Sequence, residues 1–416
     1  MGAASAHPRA PLSKAMSILT SSAPVIERAD PDRLGFCPER LARLPRLLAE
    51  RAASGHIPGA VVAVGRAGQV ACLDAVGSQA PGGPAMQVDS VFRIYSMTKP
   101  LVSVAAMQLV EQGRMLLTDP LPRWLPEYAD TGVAAVEAGR LNSRRPGRPP
   151  TLQDLLRHTA GFTYEFLGDG PVQRAYAAVS VGSRGRDNAA FSRELARIPY
   201  AFEPGSVWAY SRATDVLGRV VEVVSGQTLG AYLAEHVLGP LGMTETGFAA
   251  RDEQRARLAQ PFSHDPDGGV PLAVFDPLEA PLMESGGGGL VSTAPDYLRF
   301  LQCLLARGRL PDGGWLLSPR TLALMTSDHL GRRIPAQGDL LPPGHGFGLG
   351  FAVRTSAGEA STPGSVGMYY WSGIAGTAFF CDPAEDLWAM ILTQAPNQRD
   401  HYRLLLRNMV YAALVS

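Results

Sequence analysis

Ser96 and Lys99 stand three residues apart in Arg93-Ile94-Tyr95-Ser96-Met97-Thr98-Lys99-Pro100, the one Ser-x-x-Lys of the sequence. Residues i and i+3 share a helix face, so a helix starting here sets a hydroxyl beside an amine. A neutral lysine in that position can accept the serine proton and make the hydroxyl a nucleophile. The background sharpens the pair. Of 38 basic residues only Lys14 and Lys99 are lysine; the rest are arginine, which cannot lose its proton in a protein. Taken alone, the tetrad also fits an N-cap serine followed by a snorkelling lysine.

Two further segments carry usable groups. Trp208-Ala209-Tyr210-Ser211-Arg212 follows Phe202-Glu203-Pro204-Gly205 and precedes an apolar helical stretch. A tyrosine near a cationic lysine is expected to hold a lowered pKa and to shuttle a proton. Tyr370-Trp371-Ser372-Gly373-Ile374-Ala375-Gly376 ends one strand and turns into the next. Glycine lets an edge strand approach a ligand, and an unpaired N–H there can serve an oxyanion. Each segment also has a plain structural use, as a half-buried aromatic at a helix start and as a strand–turn–strand with a core tryptophan.

The elements that must position these groups follow from periodicity. Residues 1–35 are Ala-, Ser- and Pro-rich and read as a loosely held arm. A helix over Glu39–Ser54 comes next, with Leu41, Leu44, Leu47 and Leu48 on one face. A hairpin of Ala60–Arg66 and Gln69–Ala75 turns at Ala67-Gly68. Val91–Ile94 is short and extended. Ser96–Glu111 is a helix apolar around most of its circumference, the mark of a central buried helix. From about 116 to 285 no strand-like alternation is seen; helices over Leu152–His158, Asn188–Arg197, Ala213–Ser225 and Leu229–Val237 are joined by loops, and Gly139–Pro150 reads as a solvated, arginine-rich one. Strand signals return at Leu290–Thr293, then helices at Pro295–Arg307 and Pro319–Met325. Strands at Phe347–Val353, Ser365–Trp371, Thr377–Cys381 and Trp388–Thr393 form an antiparallel sheet, and a helix over Tyr402–Leu414 ends the chain. The reading is α/β of the α+β type: 36–115 and 290–416 form one unit, 116–289 a mostly helical one.

In this order, Ser-x-x-Lys, Tyr-Ser-x and Trp-x-Gly resemble the serine β-lactamase and penicillin-binding-protein superfamily. Within it the chain looks most like the class-C-like carboxylesterases called family VIII. Further segments carry the resemblance between about Ile57 and Gln394: Leu155-Leu156-Arg157-His158-Thr159-Ala160-Gly161, Gly239-Pro240-Leu241-Gly242-Met243 and Ser285-Gly286-Gly287-Gly288-Gly289-Leu290. The resemblance implies a β-lactamase-like fold with an antiparallel sheet flanked by N- and C-terminal helices. It makes Ser96 the nucleophile, Lys99 its activating partner and Tyr210 the proton relay, with the backbone N–H groups of Ser96 and Ile374 as the oxyanion hole. His158 is structural. Trp371, Gly373, Ser211 and Arg212 are expected against the substrate. The chain departs from the β-lactamase pattern twice. Arg212 stands where that pattern has asparagine, and Trp371 where it has the lysine that meets the drug's carboxylate. An indole offers an apolar face and one N–H donor. The site therefore suits an uncharged acyl ester.

Composition narrows the classes. With 38 acidic and 38 basic residues the net charge is zero, against nucleic-acid or anionic-membrane partners. At 46% hydrophobic the chain can fill a core, yet no apolar run approaches the ~18 residues of a membrane span. Cys37, Cys72, Cys303 and Cys381 are scattered and read as reduced thiols of a cytoplasmic protein. No G-x-S-x-G, phosphate-binding loop or H-E-x-x-H occurs, so no cofactor or metal is implied. The expected activity is hydrolysis of small acyl esters through a Ser96 acyl-enzyme. Three alternatives stay open: acyl transfer from the same intermediate, weak β-lactamase or D-aminopeptidase activity, and a catalytically silent scaffold. Oligomeric state is not indicated.

Overall fold

The computed structural model describes residues 27–137 and 140–415. The first 26 residues of the expected arm, with Ala138, Gly139 and Ser416, lie outside the described residues. Residues 27–34, expected in that arm, are instead tied to the fold. Val70 N donates to Glu27 O at 2.9 Å, Ala29 N donates to Val70 O at 3.1 Å, and a 3-10 turn at Pro31–Leu34 buries Leu34.

The first helix is two pieces, α1 (Pro38–Leu41) and α2 (Arg43–Ala53), and buries Leu41, Leu44 and Leu48. The hairpin β1 (Gly59–Arg66) and β2 (Gln69–Gly77) turns through Ala67 and Gly68, both left-handed, at φ 51° and 75°. That is the turn whose twist matches a hairpin. β3 (Phe92–Arg93) leads through a 3-10 turn, Tyr95–Met97, into α3 (Thr98–Glu111). Every residue of α3 from Thr98 to Met107 is buried, as its all-round apolarity requires.

The middle of the chain corrects the strand-free reading. β4 (Val133–Glu137) and β5 (Arg140–Arg144) form a separate two-stranded ribbon where an arginine-rich loop was expected. β5 is largely exposed, so it lacks the apolar alternation that marks a half-buried strand. β5 pairs only with β4 among the described strands, and it is β4 that the chain anchors, with Ala134 N donating to Tyr200 O and Tyr200 N to Gly132 O, both at 2.8 Å. Helices follow in order: α4 (Leu152–Leu156), α5 (Pro171–Ala178), α6 (Asn188–Ala196), α7 (Ala213–Ser225), α8 (Leu229–Leu233) and α9 (Gly239–Leu241). α5 was not expected. β6 (Val291–Ser292) pairs with β3, and α10 (Ala294–Leu305) and α11 (Pro319–Met325) come next.

The single strand expected at Phe347–Val353 is two, β7 (His345–Phe347) and β8 (Ala352–Arg354), because the chain reverses through Gly348–Phe351. β9 (Tyr369–Ser372), β10 (Ala378–Asp382) and β11 (Leu387–Thr393) complete the seven-stranded antiparallel sheet, order β2-β1-β11-β10-β9-β8-β7. β11 is buried along its whole length, as a central strand covered on both faces should be. α2 and the last helix, α12 (Arg399–Ala413), cover one face and α10 the other. Among the described residues no helix is long and apolar enough to cross a membrane.

One buried carboxylate ties the helical segment together. Asp154, fully buried, closes a capping box on α4 with Thr151. It also receives Arg148 Nη1 at 2.5 Å, Arg157 Nη2 at 3.0 Å and Thr159 Oγ1 at 2.8 Å. Burial opposes the charge, but Arg148, the Thr151 amide and Thr159 outweigh it and hold the carboxyl below its usual pKa. Asp154→Asn is expected to cost roughly 2–3 kcal/mol, since it removes the buried charge that two guanidinium groups share and turns one acceptor oxygen into a donor. A lowered carboxyl pKa stabilises the fold above the unfolded value near ~4 and ceases to do so as pH falls through the folded one. The melting-temperature gap between wild type and variant, followed calorimetrically, should therefore hold from pH 8 to 5 and close only in stronger acid. A gap already closing at pH 6 would contradict this.

Candidate active site

The β3–β6 pairing sets two loops side by side. Arg93 pairs with Val291, Ile94 N donates to Leu290 O at 3.1 Å, and Leu290 N donates to Thr98 Oγ1 at 3.2 Å. This lays the glycine run 286–289 along the segment that carries Ser96. Arg93 is itself clamped, donating to Phe275 O at 2.6 Å and Ala259 O at 3.1 Å. Tyr95 adopts φ 43°, a costly backbone state for a bulky residue. Its ring is held edge-on by Phe275 at 5.3 Å. Ser96 follows on the 3-10 turn, just ahead of α3 rather than within it, and remains partly open.

Lys99 is 1% exposed, and its three donors meet three acceptors: Ser96 Oγ at 3.1 Å, Tyr164 Oη at 3.0 Å and Gly287 O at 2.6 Å. Burial drives its ammonium down from 10.5 to about 7; Asp215 pulls the other way and Arg212 adds to the fall. An amine at that balance can take a proton from Ser96 at neutral pH. Tyr164, Gly287 and Asp215 were not foreseen as site residues. The glycine run 286–289 is part of the resemblance, but nothing in it marks the Gly287 carbonyl as a partner of Lys99, 188 residues away. A Cβ on Gly287 would fall 2.7 Å from the Asp215 carboxylate. Asp215 holds this loop, accepting from Gly287 N at 2.9 Å and Ser285 Oγ at 2.5 Å.

Tyr210 arrives from the loop before α7, where Ala209 N donates to His158 O at 2.9 Å and Arg212 N to Thr163 O at 3.2 Å. Its ring centroid lies 4.5 Å from Lys99 Nζ and 5.1 Å from the Trp371 ring, and Trp371 Nε1 donates to its hydroxyl at 3.3 Å. The expected lowering of its pKa is reversed. Burial raises the phenol above its ordinary value, and hydrogen bonds with Ser96 and Trp371 only partly offset that. Tyr210 thus stands as a proton donor, with Lys99 as the group near neutrality. His158 is buried beside it with φ 56°. Burial, and then Lys99, push its imidazole well below the usual value, which fits a structural role.

Two expected substrate contacts are corrected. Ser211 is 1% exposed and its hydroxyl is 3.2 Å from His158 Nδ1, so it presents no side-chain surface to a ligand. Arg212 is drawn into ion pairs with Glu165 and Asp215. Trp371 does lie at the site, at an open end of β9. β8 pairs with Tyr369 and Tyr370 and goes no further. Gly373 serves a close approach to the protein's own backbone: a Cβ would fall 2.4 Å from Ile94 O. With Thr377 Oγ1 donating to Ile94 O at 3.2 Å, the 373–377 turn is pressed against the nucleophile segment. The amides of Ser96 and Ile374 have no acceptor among the described residues. Among those residues no cluster of three or more His, Cys, Asp or Glu could hold a metal.

A pH profile tests the amine. With Lys99 charged in acid and neutral above about 7, kcat/KM for a short aryl ester should rise through an apparent pKa near that value. Lys99→Arg keeps the charge but not the titration, and should lose about a hundredfold or more of kcat/KM. A flat wild-type profile from pH 5.5 to 8.5, or near-normal turnover by Lys99→Arg, would contradict the assignment.

A family model described as Beta-lactamase matches residues 44–412. An uncharacterized protein of Mycobacterium tuberculosis is 37% identical over 351 residues, 82% of this chain and 86% of its own. Esterase EstB of Burkholderia gladioli is 34% identical over 401 residues, 89% of this chain and 95% of its own. Among solved structures, EstCE1, "a hydrolase with promiscuous acyltransferase activity", superposes with a TM-score of 0.75 at 31% identity, covering 90% of this chain and 99% of its own. The match spans both the sheet and the helices that surround Ser96 and Lys99, and the chain belongs to the Beta-lactamase family.

Proposed function

We propose that the chain is a serine carboxylesterase of the family VIII type, acting on small uncharged acyl esters. The observation that carries this reading is Lys99, buried, brought near neutrality and 3.1 Å from the Ser96 hydroxyl. Neutral Lys99 takes the Ser96 proton as Oγ attacks the ester carbonyl. The N–H groups of Ser96 and Ile374 hold the oxyanion. Collapse expels the alkoxide, which takes a proton from Tyr210, and the Lys99 ammonium returns one to Tyr210. Water then attacks the acyl-enzyme by the same relay, and Ser96 and the carboxylic acid are released. The names of EstB and EstCE1 support ester chemistry. Trp371 carries the distinction from a β-lactamase at the substrate, while Arg212, in place of the pattern's asparagine, is held by Glu165 and Asp215. The four cysteines are free and three of them are buried, which suits a cytoplasmic enzyme.

The activity described for EstCE1 favours a second outcome of the same intermediate, with an alcohol in place of water as acceptor. Product analysis with added short alcohols separates the two by the ester formed.

Purified protein should hydrolyse aryl acetate and butyrate without added metal and be indifferent to a chelator. Ser96→Ala should abolish both turnover and the mass adduct formed with a serine-directed phosphonate. Loss of activity in chelator with recovery on zinc would sink the reading.

Trp371 offers two separable groups. Trp371→Phe keeps an apolar wall but removes the N–H donated to Tyr210, and should lower kcat about fivefold on every ester, the worth of roughly 1 kcal/mol. Trp371→Ala should in addition weaken catalysis on butyrate more than on acetate. An unchanged ranking of acetate, butyrate and a penicillin-type chromogen in Trp371→Ala would show the indole to be core packing only.

A further inference from the structure

The two polar ends of the Gly373–Ile374 peptide meet different surroundings. The Gly373 carbonyl accepts from Arg403 Nη2 at 2.6 Å and from Gly376 N at 3.1 Å. The Ile374 N–H, at the other end of the same peptide, has no acceptor among the described residues. A trans peptide is planar, with C=O and N–H pointing in opposite directions. Whatever fixes the carbonyl therefore fixes the aim of the N–H. The turn alone supplies only the weaker, neutral bond from Gly376; the charged donor comes from α12.

Arg403 is built for a fixed position. Asp400 Oδ1 accepts from its Nη1 at 2.9 Å, its side chain is 20% exposed, and its Nε is buried with no partner. One nitrogen thus serves the anchor, one the Gly373 carbonyl, and the third faces the interior. A cation on a carbonyl oxygen also polarises the peptide and strengthens its N–H as a donor. Burial lowers its guanidinium to about 10, against the pull of Asp400, so the charge persists at neutral pH.

We propose that Arg403 is the positioning residue of the oxyanion hole: from α12 it holds and polarises the Gly373 carbonyl and so aims the Ile374 N–H at the oxyanion. The proposal rests on the acyl-enzyme reading above. The peptide does not change its bonding during turnover; what changes is the charge it faces, which is greatest in the tetrahedral state. Arg403 should therefore act on transition-state binding and leave ground-state binding alone.

The test uses full-length wild type, Arg403→Gln and Arg403→Lys, with kcat and KM for a neutral aryl butyrate. An alkyl boronic acid serves as tetrahedral probe, and a succinate half-ester as anionic substrate. Arg403→Gln should lower kcat about tenfold or more with KM within about twofold. The boronate inhibition constant should rise by the same factor as kcat/KM falls. Arg403→Lys, which keeps a cation near the carbonyl, should recover part of both, and it carries the test should the glutamine variant not fold. A kcat within threefold of wild type in both variants would overturn the proposal. So would a boronate constant that stays put while kcat falls, or a KM rise confined to the anionic ester, which would make Arg403 a substrate contact. Wild type that forms no boronate adduct on Ser96 would bring down the acyl-enzyme reading and this proposal together.

Discussion

A lysine side chain taken out of water without a carboxylate in contact is the condition on which the rest of the site depends. A buried ammonium must be neutralised or be given acceptors for all its protons. Here Lys99 has three acceptors and none is an anion: a serine hydroxyl, a tyrosine hydroxyl and the Gly287 carbonyl. Asp215 is close enough to raise the lysine pKa, but its oxygens are committed to Ser285, Gly287 N and Arg212. The balance leaves Lys99 near neutrality. The buried, apolar α3 and the glycine run 286–289 follow from the same condition, since each excludes water or brings backbone oxygen to the amine.

In the proposed mechanism, the same burial sets the order of proton transfers. Tyr210 and Lys99 are neighbours, and desolvation moves their pKa values apart, the phenol up and the ammonium down. A pair separated in that direction assigns base and acid by environment alone. Arg212 supports this at a distance: paired with Glu165 and Asp215, it keeps Asp215 from becoming a direct counterion that would restore the lysine charge.

Ser96 and Lys99 could be read from the sequence because their contact is local, three residues apart across the 3-10 turn that opens into α3. Tyr210 and Trp371 came from resemblance, and their meeting through Trp371 Nε1 spans 161 residues. Tyr164, Asp215 and Gly287 were missed because no local pattern marks a hydroxyl, a carboxylate or a carbonyl as the partner of one lysine. Ser211 and Arg212 were misread for the converse reason. They adjoin Tyr210 in sequence, yet successive side chains leave the loop in different directions, one toward His158 and one toward Glu165. Among the elements, helices and the buried strand β11 were legible from periodicity. The exposed ribbon β4–β5 was not, because nothing buries either face deeply enough to impose alternation. The split of β7 from β8 turns on the reversal at Gly348–Phe351, which an apolar run conceals.

The charge on Lys99 in the resting enzyme can be measured directly. The chain holds only two lysines, Lys14 and Lys99, so carbon-labelled lysine should give two Cε signals, and Lys99→Arg identifies one of them. The Lys99 signal should titrate near pH 7. Two signals that both titrate above pH 10 would show that Lys99 rests as an ammonium, and the proton of Ser96 would then need another acceptor.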